Sequence, residues 1–492
     1  MSEDEKQEIS VIESVQREGP TADDAGPDLS SSAAASDERC LVKKLDMRIM
    51  PLICLLYLFA YLDRINLGNA RLQGLPEDIL RGDPTGVLYD WVNSAFYFSY
   101  ILCPVPAIIL SKLCPPRLWF GCAAVVWGLC SMLMATAVNF PGLLVARVAL
   151  GVFEAALSPG VPFYMSLFYT RQEIGLRLAT YGGFAAVAGA FGGLLAFGIQ
   201  HAHTAIATWR VLFIIEGAPS VLLGFTAIFL LPDRPEETRF LHEEERKLAL
   251  ERMNRGTKAD TGRVLNKKHI LLAFKDWRIY AAGVIYMASN CAFGSISAFL
   301  PTIITTFGFT NAIAQLLTIP PYAVAATILG ITAYMTDRLQ SRGPFVAAGS
   351  LVGAIGYVLL LTVTNNHVRY FATFWITSGT YTVNNAIIAW FAHNLGSETK
   401  RAAGIPLYMV IGQCGAVLGS HLYPLTEGPR YIVGFSVNLA LYVLATAVAL
   451  VLTVSYRLEN RRRDKKHGKA DVDALVDTTE YADKAADFRY TP

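Results

Sequence analysis

Twelve times along this 492-residue chain an apolar stretch nearly free of charge recurs, and each is about 20 residues long, the length a helix needs to cross a bilayer. The stretches fall at about 47–70, 91–110, 118–138, 142–165, 178–200 and 210–231, then at 278–302, 313–335, 344–364, 369–391, 402–424 and 431–455. Lipid offers no hydrogen bonds to a bare backbone, so each stretch predicts a helix. The expected fold is an all-α integral membrane protein of about twelve transmembrane helices, set six and six. Composition agrees, because 53% hydrophobic against 17% charged residues is too apolar for a soluble chain of this size.

The polar segments divide the chain further. Residues 1–44 are acidic and Ser/Ala-rich, a composition that cannot bury enough apolar surface to fold, and are expected as a disordered cytosolic tail. An N-terminal six-helix lobe, 45–231, and a C-terminal one, 277–456, are joined by a polar linker, 232–276. The linker run FLHEEERKLALERMNRG reads either as an amphipathic helix or as a merely solvated connection. Residues 457–492 form a basic and polar tail.

Lys and Arg gather in alternate loops, among them Arg117, Arg171, Arg177, Arg338, Arg342, Lys400 and Arg401. By the positive-inside bias both termini are expected in the cytosol, with the plasma membrane as the location. Eight scattered cysteines lack metal-ligand spacing, and no HExxH or GxSxG run occurs in the spans. No cofactor, metal, enzymatic reaction or nucleic-acid partner is therefore expected, and the chain is read as a monomer in the lipid bilayer.

Charges inside the spans carry the functional reading. A charge at mid-bilayer costs roughly 2.5–3.5 kcal/mol, so those retained tend to pair and to face a cavity. The first span holds Asp63 and Arg64, the fourth Arg147 and Glu154, and the sixth Glu216. Seven residues make two helical turns, which puts Arg147 and Glu154 on one face about 10 Å apart. At similar depth, Asp63, Arg64, Arg147 and Glu154 can form one polar cluster.

The chemistry of these groups suggests roles. The planar fork of Arg64 suits a carboxylate and makes it the natural anion anchor. Burial favours a neutral carboxyl and a neighbouring guanidinium a charged one, so Asp63 and Glu154, with Arg147, are the candidate proton-coupling groups. A substrate anion competing for Arg64 would favour proton uptake. The alternative reading is two ion pairs that pin helices, and Glu216 in particular suits a helix-bridging role.

Tyr61 in the first span, and Tyr381, Asn384, Asn385, Trp390 and Asn394 in the run TSGTYTVNNAIIAWFAHNLG, are candidate substrate contacts, although polar helix packing would also account for the latter five. The glycines of YGGFAAVAGAFGG in the fifth span permit close helix approach.

Several runs resemble the major facilitator superfamily, and within it the fungal allantoate-permease-like branch of the anion:cation symporters. They are YLDRINLGNARLQGL, RVALGVFEAALSPGVPFYMSLFYTRQEIGLR, WRVLFIIEGAPSVLLG with LPDRPE, and WFAHNLGSETKRA, within residues 45–460. The resemblance implies two pseudosymmetric six-helix lobes that rock about a central site. It also implies proton-coupling and anion-binding roles for Asp63, Arg64, Arg147 and Glu154. The family's signature between the second and third helices is reduced here to SKLCPPRLWFG, and Asp337 and Arg338 keep part of it in the second half as candidate gating residues. The function expected is proton-coupled symport of a small organic anion, a carboxylate such as a vitamin, ureide or sugar acid. Export of a secondary metabolite and a transporter-like nutrient sensor stand as alternatives.

Overall fold

The computed structural model describes residues 29–111, 114–202, 204–254, 267–468 and 482–492. The chain divides into two compact units, residues 1–45 and 46–492. Part of the expected disordered tail lies outside the described residues, and from Leu29 onward the Ala-rich run is helical, as the high helix propensity of alanine favours.

The described residues form helices and connecting turns throughout. The first half comprises α1 (Leu29–Leu72), α2 (Val87–Leu102, continued by Pro104–Ser111), α3 (Pro116–Met134), α4 (Phe140–Glu154, continued by Leu157–Phe168), α5 (Arg171–Gln200) and α6 (Thr208–Leu230). The second comprises α7 (Trp277–Thr305), α8 (Ile319–Leu339), α9 (Gly343–Thr362), α10 (Asn366–Asn394), α11 (Glu398–Ser420) and α12 (Ile432–His467). Among the described residues, nine helices are long and apolar enough to cross a membrane. The remaining expected spans are α2, α4 and α10, and each departs for a physical reason. Pro104 interrupts α2 and Pro159 follows the break in α4, since proline has no N–H to give the preceding turn. Helix α10 is 29 residues long but carries the polar run Thr377–Asn385.

Packing repeats between the halves. Within the first, α3 lies on α6, α2 on α4 and α3 on α4; within the second, the matching pairs α9–α12, α8–α10 and α9–α10 are in contact. The helices that cross between halves also exchange, because α2 meets α11 while α5 meets α8. Each is the second helix of one half against the fifth of the other, the pattern a two-fold pseudosymmetry produces.

The two ends of the bundle differ. At the face away from the linker, the Leu425 N–H donates to the Thr85 carbonyl at 3.3 Å, and Asn93 Nδ2 donates to Ser420 Oγ at 2.9 Å. On the other side of the pseudo-axis, Asn311 Nδ2 donates to the Leu72 carbonyl at 3.0 Å and Gln315 Nε2 to the Asn69 carbonyl at 3.3 Å. The halves are thus tied together at this far face. The glycines of α5 make the approach possible: a Cβ on Gly189 would lie 2.7 Å from the Tyr322 ring, and one on Gly193 2.7 Å from the Gln315 carbonyl.

The linker is helical over Glu243–Asn254 and Lys267–Lys275. Its first helix is anchored to the first half by Arg252, which pairs with Glu173 at 2.9 Å. The basic tail also departs from expectation. Helix α12 continues to His467, and residues 482–492 pack against the linker face of the second half.

Candidate functional site

The site is built where α1 passes α4. A helical residue advances by about 100°, so the neighbours Asp63 and Arg64 must point to different sides, and they do. Arg64 reaches α4 and forms an ion pair with Glu154, its Nε donating to Oε1. Its guanidinium lies over the Tyr100 ring at 4.4 Å and the Phe96 ring at 5.1 Å, both on α2. The Arg64 side chain keeps 11% of its exposure while that of Glu154 has none. Glu154 Oε2 has no hydrogen-bond partner among the described residues.

Asp63 faces the interior of the first half instead. Its Oδ1 accepts from Ser131 Oγ on α3 and its Oδ2 from Ser220 Oγ on α6, the latter at 3.2 Å. Arg147 donates through Nη1 to the Asp63 backbone carbonyl at 3.2 Å. The predicted single cluster is therefore two adjoining ones, an Arg64–Glu154 pair and a closed Asp63 network of serine hydroxyls. Arg147 and Glu154 share a face of α4 as their spacing requires, and together they grip α1 at successive residues. Glu216 on α6 is buried, with Asn66 of α1 as its polar neighbour.

Beside Arg64 stands an aromatic cluster drawn from both halves. Tyr61 Oη and Tyr381 Oη are 2.7 Å apart, joining α1 to α10. Phe293 of α7 packs 5.3 Å from each ring, and Tyr322 of α8 lies 5.9 Å from Tyr381. Tyr57 packs against Tyr181 of α5, the tilted rings 4.1 Å apart. Apart from Tyr61 and Tyr381, sequence reasoning did not assign these rings to the site. Tyr57, Tyr61 and Arg64 nevertheless stand at i, i+4 and i+7, a single helical face, and that spacing was the available signal.

The second-half candidates separate. Asn384, one turn from Tyr381, is buried, with its Nδ2 unpaired among the described residues. Trp390 and Asn394 lie farther along α10 toward the linker face, where Trp390 Nε1 and Asn394 Nδ2 each donate to the Thr491 carbonyl at 2.9 Å. They hold the carboxy-terminal segment and do not join Arg64. Asp337 at the end of α8 accepts from Arg342 at 2.9 Å, and Arg338 is exposed. In the corresponding turn of the first half, the reduced signature is replaced by Arg117 on Asp233 at 3.0 Å.

Comparison with known proteins gives the same architecture. The profile of the Major Facilitator Superfamily matches residues 53–420. The chain is 33% identical over 464 residues to the major facilitator-type transporter hxnP of Emericella nidulans, covering 92% of this chain and 93% of the relative. It is 30% identical to the high-affinity nicotinic acid transporter of Saccharomyces cerevisiae over 99% of this chain and 90% of that one. Among solved structures, a D-xylose-proton symporter superposes with a TM-score of 0.63 at 15% identity, over 82% of this chain and 95% of its own.

Proposed function

The chain belongs to the Major Facilitator Superfamily, a family of multi-pass membrane transporters, and from that premise we propose that it is a proton-coupled symporter of a small aromatic carboxylate. The observation that carries this reading is the pairing of Arg64 with Glu154 beside a cage of tyrosine and phenylalanine rings contributed by both halves.

A substrate carboxylate competes with Glu154 for the guanidinium fork. Once displaced, Glu154 sits in a buried site where its neutral, protonated form is the cheaper one, so anion and proton enter together. The substrate ring lies against Tyr61, Phe293 and Tyr381, whose faces and edges favour flat partners, and Asn384 offers an unspent donor. Because Tyr61 and Tyr381 belong to opposite halves, a ligand between them biases the halves' closure, which is the requirement for alternating access. Asp63 and Arg147 fix α1 on α3, α4 and α6 and keep Arg64 in register. The nicotinic acid transporter of yeast, similar along nearly the whole chain, is consistent with a vitamin-like aromatic acid. The linker face is cytosolic in this reading, the membrane is the plasma membrane, and the chain falls in the anion:cation symporter branch.

A thermal-shift screen of purified protein with small acids tests the substrate class. Nicotinate and other flat monocarboxylates are expected to raise the unfolding temperature, and their uncharged amides are not. Stabilisation by sugar acids with no effect of aromatic acids would refute the aromatic assignment.

A further inference from the structure

At the linker face of the second half, a groove of about 480 Å³ lies between the start of α7, the end of α12 and the docked segment 482–492. This volume falls in the ~300–1,000 Å³ range of small-ligand pockets. The acids on its wall are already engaged in ion pairs. Asp276 and Asp483 both accept from the buried Lys400, at 2.6 and 2.7 Å, and Glu459 pairs with Arg463 at 3.2 Å. Four lining cations, Lys275, Arg462, Lys466 and Lys484, have no acidic partner among the described residues. Arg278, between the Tyr456 and Tyr490 rings, adds a buried Nε–H without an acceptor among the described residues.

The groove also sits at a definite depth. Leu458 on α12 is 57% exposed and Trp277 at its rim 51% exposed; on a spanning helix the first marks the lipid-facing surface, and an exposed tryptophan marks the interface. Arg462 follows Leu458 by one turn, so the cations begin where phosphate headgroups lie.

We propose that this groove binds a phosphate-ester polyanion of the inositol phosphate class, presented either as a membrane lipid headgroup or as a free molecule. The bound polyanion bridges Lys484 to Arg462 and Lys466, and so fastens the segment 482–492 to α12.

The test uses the full chain in detergent micelles, titrated with inositol hexakisphosphate and, separately, with short-chain phosphatidylinositol bisphosphate, with phosphatidylcholine as the neutral reference. A triple variant R462A/K466A/K484A removes three exposed groove cations. The control R457A/R461A/K465A removes three exposed cations of α12 that do not line the groove. At about fivefold per interfacial cation, the groove variant is expected to bind on the order of a hundredfold more weakly, with the control close to wild type. Preference for the lipid supports a headgroup ligand, and equal or tighter binding of the soluble probe supports a free polyphosphate. Equal losses in both variants, or no saturable binding of either probe, overturns the proposal.

Discussion

Adjacent residues on α1 have opposite environments, and the difference sets what each substitution should do. Arg64 holds Glu154 through a fork and lies against two rings, so Arg64→Lys keeps the charge but loses both geometries. Apparent substrate affinity in uptake assays should fall about tenfold or more, the equivalent of one charge-assisted hydrogen bond, with little change in thermal midpoint. The hydroxyl pair of Tyr61 and Tyr381 should behave as a unit. Tyr61→Phe and Tyr381→Phe each cost about 0.5–1.5 kcal/mol in ligand binding, and the double variant should cost no more than the larger single one. Additive losses would show that the hydroxyls act apart. At this scale the sequence disclosed the shared face of Arg147 and Glu154 and the charge of Arg64. It could not disclose that Arg147 would take a backbone carbonyl, because that depends on how deeply α4 packs on α1. Nor could it separate Trp390 and Asn394 from Asn384, since their partner, Thr491, lies about a hundred residues away along the chain.

Helices show the same division between pattern and context. Length and apolarity placed the spans, and proline explains why α2 and α4 come in two pieces. The glycines of α5 signalled close approach, while their partner, α8 of the other half, was not readable because both helices are apolar on several sides. Gly193→Val should therefore prevent closure at the far face. A cysteine at position 93, where Asn93 is now buried against Ser420, should become reactive to a hydrophilic maleimide in that background and stay protected without it. The carboxy-terminal segment makes a separate prediction. Lys400, only 1% exposed, is the common partner of Asp276 and Asp483. Lys400→Met leaves the buried Asp483 and the partly exposed Asp276 without their shared cation, which should cost about 3–5 kcal/mol and lower the unfolding temperature; adding Asp276→Asn and Asp483→Asn should restore much of it. A compositional reading saw only a polar tail there, because its order comes from tertiary partners and not from its own propensity.

The whole molecule is two repeats of one packing pattern, closed at the face away from the linker. Six and six spans were legible as periodic apolarity, whereas closure was not, because it rests on polar pairs such as Asn93–Ser420 and Gln315–Asn69 that join residues more than two hundred positions apart. A transporter with this arrangement couples its substrate to protons only if Glu154 accepts one when the anion takes Arg64. Proteoliposomes supplied with labelled nicotinate in the external medium, at a clamped membrane potential, test that claim directly. Each pH unit supplies about 1.4 kcal/mol per proton, so the wild type should accumulate substrate about tenfold per unit of imposed gradient for one proton. Glu154→Gln should exchange substrate across the membrane yet fail to concentrate it. Accumulation by Glu154→Gln equal to the wild type, or wild-type accumulation that ignores the pH gradient, would contradict the account.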